Sequence, residues 1–196
     1  MSAYYHGVRF FDSPPALAGI VADFLDEGFA AGSAGIVVAD PVLRAAIVQA
    51  LAQRSVDVVE LERSKRLLVL DASATLALFM VDGKPDQRRF TDVMCEAIRR
   101  LRPSHVSTLR IFGQMVDVLW QDGLKDEAIV LERLWNQFAQ TEKFSLLCGY
   151  TLGDFYKDAH FADICAQHSH LVSDDGSVTP VASVPSRASF DGRPAS

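Results

Sequence analysis

The chain has 196 residues, of which 49% are hydrophobic and 22% are charged, and this length is sufficient for one domain with a buried core. The formal net charge of −6 leaves no basic stripe to neutralise phosphates, which argues against nucleic-acid binding. Arg99, Arg100 and Arg102 are interpreted instead as a solvated helix end, where cations oppose the helix dipole.

The apolar segments and the cysteines indicate the compartment. No run approaches about 18 apolar residues, so we expect no membrane-spanning helix, and Met1 to Phe11 lacks the pattern of a signal peptide. Cys95, Cys148 and Cys165 are odd in number and widely spaced, which indicates free thiols in a reducing compartment. We therefore expect a cytoplasmic protein.

Strands and helices are predicted to alternate along the chain. Short apolar runs rich in β-branched and aromatic residues predict strands over 4–11, 34–39, 56–61, 66–71, 105–112 and 144–150. The segment 56–61 is predicted either as a strand of its own or as a broken lead-in to the next one. Apolar residues at helical spacing predict helices from Pro14 to Gly28 or Gly32, from Pro41 to about Leu51, and over 73–81, 86–101, 113–120, 124–140 and 158–168.

This alternation also predicts the domain organisation. Strands that alternate with helices are typical of βαβ units, which build a mostly parallel sheet covered on both faces. We expect residues 1–172 to form this one domain. Residues 173–196 are rich in Ser, Pro, Gly and Asp without periodicity, which predicts a disordered tail.

The junction between the strand 34–39 and its helix lacks the residues of a phosphate-binding loop. Such a loop wraps glycine N–H groups and a lysine around phosphates, whereas Asp40 to Arg44 stand here. Asp40 would repel a phosphate, and Pro41 has no N–H to donate. We therefore expect no nucleotide hydrolysis, and since no G-x-S-x-G elbow occurs either, no enzyme activity.

Seven segments in order resemble one family of sensory domains. The chain is similar to the MEDS domain, which occurs in regulators of methanogens and methylotrophs and often beside histidine-kinase modules. The resemblance covers residues 4–172 and rests on HGVRFF, FLDEGFAAGSAGIVVADP, FMVDGKPDQRRF, RIFGQMVDVLWQDG, LERLWNQF, FSLLCGY and ICAQHSH. It implies an α/β fold of the RecA-like type, a three-layer sandwich with a mostly parallel sheet and a degenerate P-loop. It also implies a ligand-sensing input domain, with hydrocarbon derivatives proposed as ligands of some members.

Gln114 is a departure from the family pattern, which has a glutamate after the FG of RIFGQ. An amide donates and accepts hydrogen bonds but does not take up a proton as a carboxylate does. The departure therefore favours recognition or scaffolding over catalysis.

Five residues are candidates for a ligand site, because open α/β sheets bind ligands at the carboxyl ends of their strands. They are His6, Phe79, Met80, Gln114 and Tyr150. We expect Gln114 and Tyr150 to face one cavity with Phe79 and Met80 as its apolar wall. The alternatives are a core histidine at His6, simple packing at Phe79 and Met80, and a helix cap or loop hydrogen bond at Gln114.

No metal site or other cofactor is expected. Cys165, His168 and His170 form a C-x2-H-x-H pattern, but a structural zinc site takes four ligands, usually in two pairs, and no second pair is apparent. The pattern is interpreted as a helix end with polar histidines.

The function predicted from these observations is a non-catalytic sensory or regulatory signalling domain. It would bind a small ligand, apolar ligands included, or a partner protein such as a histidine kinase or regulator; a homodimer is compatible with the sequence. The alternatives are a scaffold or protein-interaction module without a ligand, and a degenerate RecA-like ATPase.

Overall fold

The computed structural model describes residues 4–101, 108–153 and 158–183. Its strands are β1 (His6–Phe11), β2 (Ala34–Ala39), β3 (Leu67–Asp71), β4 (Met80–Val81), β5 (Lys84–Pro85), β6 (Leu109–Gly113), β7 (Ser145–Thr151), β8 (His170–Val172) and β9 (Val178–Pro180). Within these ranges, seven strands form one sheet in the order β3-β2-β6-β7-β1-β8-β9, and β4 and β5 form a small hairpin. Neighbours in the large sheet are parallel, except that β9 is antiparallel to β8.

Eight helices of the described ranges surround the sheet. They are α1 (Pro14–Ala30), α2 (Pro41–Gln53), α3 (Val58–Arg63), α4 (Ala72–Phe79), α5 (Gln87–Arg100), α6 (Met115–Gln121), α7 (Lys125–Phe138) and α8 (Phe161–Ala166). Aspartates begin several of them, because a carboxylate can accept hydrogen bonds from the first N–H groups of a helix. Asp40 accepts from the N–H groups of Val42 and Leu43 at 2.7 and 2.9 Å. None of these helices is long and apolar enough to cross a bilayer.

The core lies on both faces of the sheet. Alternate residues of each strand point to opposite faces, so Ile36 and Val38 pack with α4 to α7 while Val37 packs with α1 and α2. This confirms the prediction of a mixed α/β protein with a mostly parallel sheet. The finer prediction of a RecA-like sandwich with a degenerate P-loop stays a prediction.

Residues 56–61 do not form the predicted strand. Val58–Arg63 is the helix α3, and the Asp57 carboxylate accepts a hydrogen bond from the N–H of Glu60 at 2.9 Å. Val58 and Leu61, three residues apart, are its buried residues, which is helical rather than strand spacing. The cap at Asp57 therefore prevails over the β-propensity of the valines. Residues 105–107 of another predicted strand lie outside the described residues.

The start of the predicted disordered tail is ordered. β9 (Val178–Pro180) pairs with β8, and the buried Arg9 side chain contacts the Asp174 carboxylate and donates to the Val172 carbonyl at 3.2 Å. The prediction was wrong for this segment, because main-chain pairing at a sheet edge needs few apolar side chains. Residues 184–196 lie outside the described residues.

We expect truncation after Ser173 to lower the melting temperature by several degrees, because it removes β9 and the carboxylate partner of Arg9. Truncation after Ser183, which retains β9, is the control and should melt close to the full chain. Differential scanning calorimetry of the three proteins tests this. Equal melting temperatures for both truncated chains would mean that β9 does not stabilise the domain.

Candidate functional site

A fully buried carboxylate lies at the centre of the candidate site. Glu132 is on the buried face of α7, and its side chain is 0% exposed. Glutamate is almost never fully buried unless it is paired. Its neighbours therefore decide what this part of the molecule can do.

Four side chains converge on Glu132, and together with it they are called here the Glu132 cluster. The Tyr150 hydroxyl donates to Oε1 at 2.7 Å, and the Cys148 thiol donates to Oε2 at 3.5 Å. His6 Nε2 lies 3.1 Å from Oε2, and His168 Nε2 lies 3.3 Å from Oε1. His6 Nε2 is also 3.4 Å from Cys148 Sγ.

The sheet register explains why these residues meet. Cys148 and Tyr150 are two residues apart on β7, so both point to one face. β1 runs parallel beside β7 with Val8 opposite Cys148, which places His6 on the same face. α7 covers this face, and His168 lies in the turn between α8 and β8.

Hydrogen bonds orient both imidazoles of the cluster. His168 Nδ1 lies 2.7 Å from the carbonyl oxygen of Ile164, which can only accept, so Nδ1 carries the proton. His6 Nδ1 lies 2.9 Å from Asn136 Oδ1, and the Asn136 amide donates from Nδ2 to the Gln167 carbonyl at 2.9 Å. This fixes Asn136 Oδ1 as an acceptor and His6 Nδ1 as a donor. Both Nε2 atoms therefore face the Glu132 carboxylate.

Burial and the facing side chains shift the pKa of several groups in the cluster. Burial opposes ionisation of Glu132, but the facing imidazoles outweigh it and hold the pKa of this carboxyl below its usual range. Burial lowers the pKa of His168, which favours its neutral form. Burial and the nearby Glu132 charge raise the pKa of Cys148 and of Tyr150 well above their usual values. Glu132 thus favours its charged form, while His168, Cys148 and Tyr150 favour their neutral forms.

These pKa shifts predict that the free energy of unfolding decreases as the pH is lowered. The unfolded chain protonates His168 near its reference pKa of 6.5, whereas the folded chain resists this proton. Stability is therefore full above pH 6.5 and is lost as the pH falls towards the lower folded pKa, by up to about 1.4 kcal/mol per pH unit. Protonation of Glu132 adds a loss of the same sign below pH 4.5.

Urea unfolding at pH 7.5 and pH 5 in the presence of a chelator measures the effect of His168. The variant His168→Gln should lose less stability between these pH values than the wild type. His170→Gln, which removes a histidine from outside the cluster, is the control and should behave like the wild type. Equal losses for all three proteins would rule out His168 as the source.

The side chain of Gln114, which follows β6, forms hydrogen bonds with Asp40, which follows β2. Its Oε1 accepts from the Asp40 N–H at 2.9 Å, and its Nε2 donates to the Asp40 carboxylate at 2.8 Å. It thereby ties the loop after β2 to the loop after β6, as in the loop-bonding alternative. Because Tyr150 bonds Glu132 instead, the cavity shared by Gln114 and Tyr150 stays a prediction.

We expect Gln114→Ala to lower the free energy of unfolding by about 1–3 kcal/mol, because it leaves the half-buried Asp40 N–H and carboxylate without this partner. Gln114→Glu should be at least as destabilising, since it places two carboxylates side by side. Urea titration at neutral pH measures both. If Gln114→Glu were as stable as the wild type, the bond to Asp40 would not be important.

Phe79 and Met80 lie in the apolar core or at its margin. Phe79 is 0% exposed, and its ring meets that of Phe90 edge to face at 5.4 Å. Met80 is half-buried against the same core and pairs with Pro85 in the hairpin. Their role as a pocket wall stays a prediction, and packing accounts for Phe79.

An aromatic wall adjoins the cluster at Tyr150. The rings of Phe10 and Trp120 lie 6.1 and 6.0 Å from that of Tyr150, and Phe161 lies 5.4 Å from Phe10. Lys125 lies over the Trp120 ring at 5.1 Å and pairs with an aspartate of the loop before α8. Aromatic rings thus pack beside the ring of Tyr150, whose hydroxyl bonds Glu132.

Sequence reasoning identified His6 and Tyr150 but did not single out Glu132, and it interpreted His168 as a polar helix end. The available signal was a glutamate on the apolar stripe of α7, four residues after Ala128 and three before Trp135. Of the C-x2-H-x-H pattern, His168 joins the cluster. His170 Nδ1 is instead 2.8 Å from the Ser169 hydroxyl, and burial raises the pKa of the half-buried Cys165 to about 11.

Comparisons with known proteins identify the family. Residues 5–169 match the MEDS family, described as the MEthanogen/methylotroph, DcmR Sensory domain. A search of curated protein sequences finds no significant match. The match covers most of the chain, including every residue of the Glu132 cluster. The chain therefore belongs to the MEDS family of sensory domains.

Proposed function

We propose that this chain is a non-catalytic sensory domain that receives a small ligand at the Glu132 cluster. The family supports the sensory role. The observation that carries the proposal is the buried carboxylate of Glu132 with two imidazoles, a thiol and a phenol directed at it.

Stability alone gives no reason for such a group. Burial of an ion removes its hydration, and apolar residues of similar volume often stabilise a core as well or better. Perturbed ionisable groups that converge in one place are typical of functional sites. The cluster is therefore the part of this core whose residue types are best explained by binding.

Burial of the cluster favours a small ligand over a protein partner. The side chains of Glu132 and His168 are 0% exposed, and Cys148 and Tyr150 are equally buried. A protein surface does not reach such groups, whereas a small molecule or ion does after a local opening. The aromatic wall of Phe10, Trp120 and Phe161 suits the apolar part of such a molecule.

The loop after β2 supports the absence of nucleotide chemistry in this proposal. The Asp40 carboxylate occupies the N-terminus of α2, where it accepts from two backbone N–H groups. A phosphate would need these same donors. We propose a RecA-like sandwich with this degenerate loop, a cytoplasmic location, and an output through a partner protein such as a histidine kinase or regulator.

Thermal-shift measurements on the full chain test the proposal. The probes are short halogenated hydrocarbons, alcohols and methylated amines, each with wild type, Tyr150→Phe and Tyr5→Phe. At least one class should raise the melting temperature of the wild type and of Tyr5→Phe, because a ligand that binds the folded state stabilises it. Its effect should be lost in Tyr150→Phe. An equal shift in all three proteins would place the ligand away from the cluster.

A further inference from the structure

We propose that His6, Glu132, Cys148 and His168 form a binding site for a divalent transition-metal ion, with Zn²⁺ as the best fit. The inference deepens the proposed function, since it names an ion that the same cluster would hold. Three observations carry it: the spacing of the ligand atoms, the orientation of the imidazoles, and the buried Nε2 atom of His168, which has no hydrogen-bond partner among the described residues.

The spacing of the ligand atoms fits a tetrahedral ion. One nitrogen from each histidine, the Cys148 sulfur and a Glu132 oxygen all lie within 4.8 Å of one another. His6 Nε2, Cys148 Sγ and Glu132 Oε2 lie 3.1, 3.4 and 3.5 Å from one another, and His168 Nε2 lies 3.3 Å from the other carboxylate oxygen, Oε1. Bonds of about 2.0–2.1 Å to N or O and about 2.3 Å to S give tetrahedral edges of about 3.3–3.6 Å. The atoms of His6, Cys148 and Glu132 are already close to these separations, and His168 would complete the tetrahedron by moving towards them.

The imidazoles are held as they are in metal sites. Metal-bound histidines almost always donate their other ring N–H to a carbonyl or carboxylate, which fixes the tautomer. His168 does so to Ile164, and His6 does so to Asn136, which is itself anchored to Gln167. His168 Nε2 is buried and has no hydrogen-bond partner among the residues that the structure describes. It lies 3.3 Å from Glu132 Oε1.

The buried Nε2 atom of His168 is the third observation. A buried nitrogen without a hydrogen-bond partner is costly, and a bound metal ion would supply the contact that this atom lacks. A tetrahedral ion would contact all four ligand atoms at once, whereas a proton bridges only two.

The ligand types select the metal. Imidazole nitrogen and cysteine sulfur favour Zn²⁺ and related transition metals, whereas Mg²⁺ and Ca²⁺ take oxygen ligands. Binding would release the Cys148 thiol proton to solvent, so that thiolate and carboxylate together neutralise the dication. Four protein ligands make a closed site, which is typical of a non-catalytic ion.

The experiment measures metal bound to the untagged full chain. Wild type, Cys148→Ser, His168→Gln, Cys165→Ser and His170→Gln are stripped with a chelator, incubated with Zn²⁺, desalted and analysed by elemental mass spectrometry. The first two variants remove proposed ligands. The last two are matched controls, because they remove a cysteine and a histidine of the C-x2-H-x-H pattern from outside the cluster.

Wild type and both controls should hold one zinc per chain, and the two ligand variants should lose most of the bound zinc, because each has one ligand fewer. Co²⁺ in the wild type should show thiolate charge-transfer absorption and tetrahedral visible bands, which tests the site even if a variant fails to fold. Substoichiometric zinc in the wild type, loss in the controls alone, or a Co²⁺ spectrum without thiolate absorption would overturn the proposal. A Tyr150-dependent thermal shift without bound zinc would overturn the metal site and leave the proposed function standing.

Discussion

Glu132→Ala is expected to lower the free energy of unfolding by about 3–5 kcal/mol. Truncation of a buried, paired ion leaves its partners without compensation. Here the Tyr150 hydroxyl loses its acceptor at 2.7 Å, and the Cys148 thiol loses its acceptor at 3.5 Å. A cavity also opens beneath α7. Urea or thermal unfolding of the purified variant measures the loss.

Two further variants serve as comparisons: one removes the charge of Glu132 but keeps its volume, and the other truncates an exposed glutamate. Glu132→Gln retains the shape and can still accept from Tyr150, so it should lose about 1–2 kcal/mol. Glu96→Ala changes an exposed glutamate that pairs with Arg99 on α5, and exposed pairs contribute less than about 1 kcal/mol. A loss in Glu132→Ala no greater than that in Glu96→Ala would show that the network does not stabilise the core.

Phe79→Ala is expected to lower the free energy of unfolding by about 3–5 kcal/mol, because it removes a buried ring from the core. The Phe79 ring is completely buried and begins a chain of edge-to-face contacts through Phe90 to Trp135, at 5.4 and 4.9 Å. These contacts join α4, α5 and α7 on one face of the sheet. Removal of the ring would leave a large cavity between the three helices.

Leu78→Ala is the matched control for this prediction. Leu78 precedes Phe79 on α4 but is 60% exposed, so its truncation should change stability by less than about 0.5 kcal/mol. Chemical denaturation of both variants gives the comparison. If both variants lost equally little unfolding free energy, Phe79 would be loosely packed, as expected of a pocket wall.

Much of the fold could be predicted from the sequence because local patterns carry it. The run Ala34–Ala39 is buried at every position, as expected for a central parallel strand. The prediction failed where a short-range interaction competes with the pattern, as at Asp57, whose carboxylate caps α3. It also failed for β8, because three residues are too few to show a period.

The candidate site was harder to predict because its residues come from distant parts of the chain. His6 and Tyr150 were identified from their positions on strands. Glu132 was overlooked because its helix buries six other residues, all apolar, and a single charge does not interrupt the period of that stripe. The contacts of Glu132 with His6 and His168 depend on the register of β1 beside β7 and on the turn after α8, which no local pattern encodes.

Native mass spectrometry of the freshly purified, untagged full chain tests the central claim most directly. The claim is that the domain receives a small ligand at the Glu132 cluster. We predict a species heavier than the chain itself, with an added small molecule, an added metal ion or both, and a loss of the added small molecule in Tyr150→Phe. The bare mass of the chain alone, in wild type and variant alike, would contradict it.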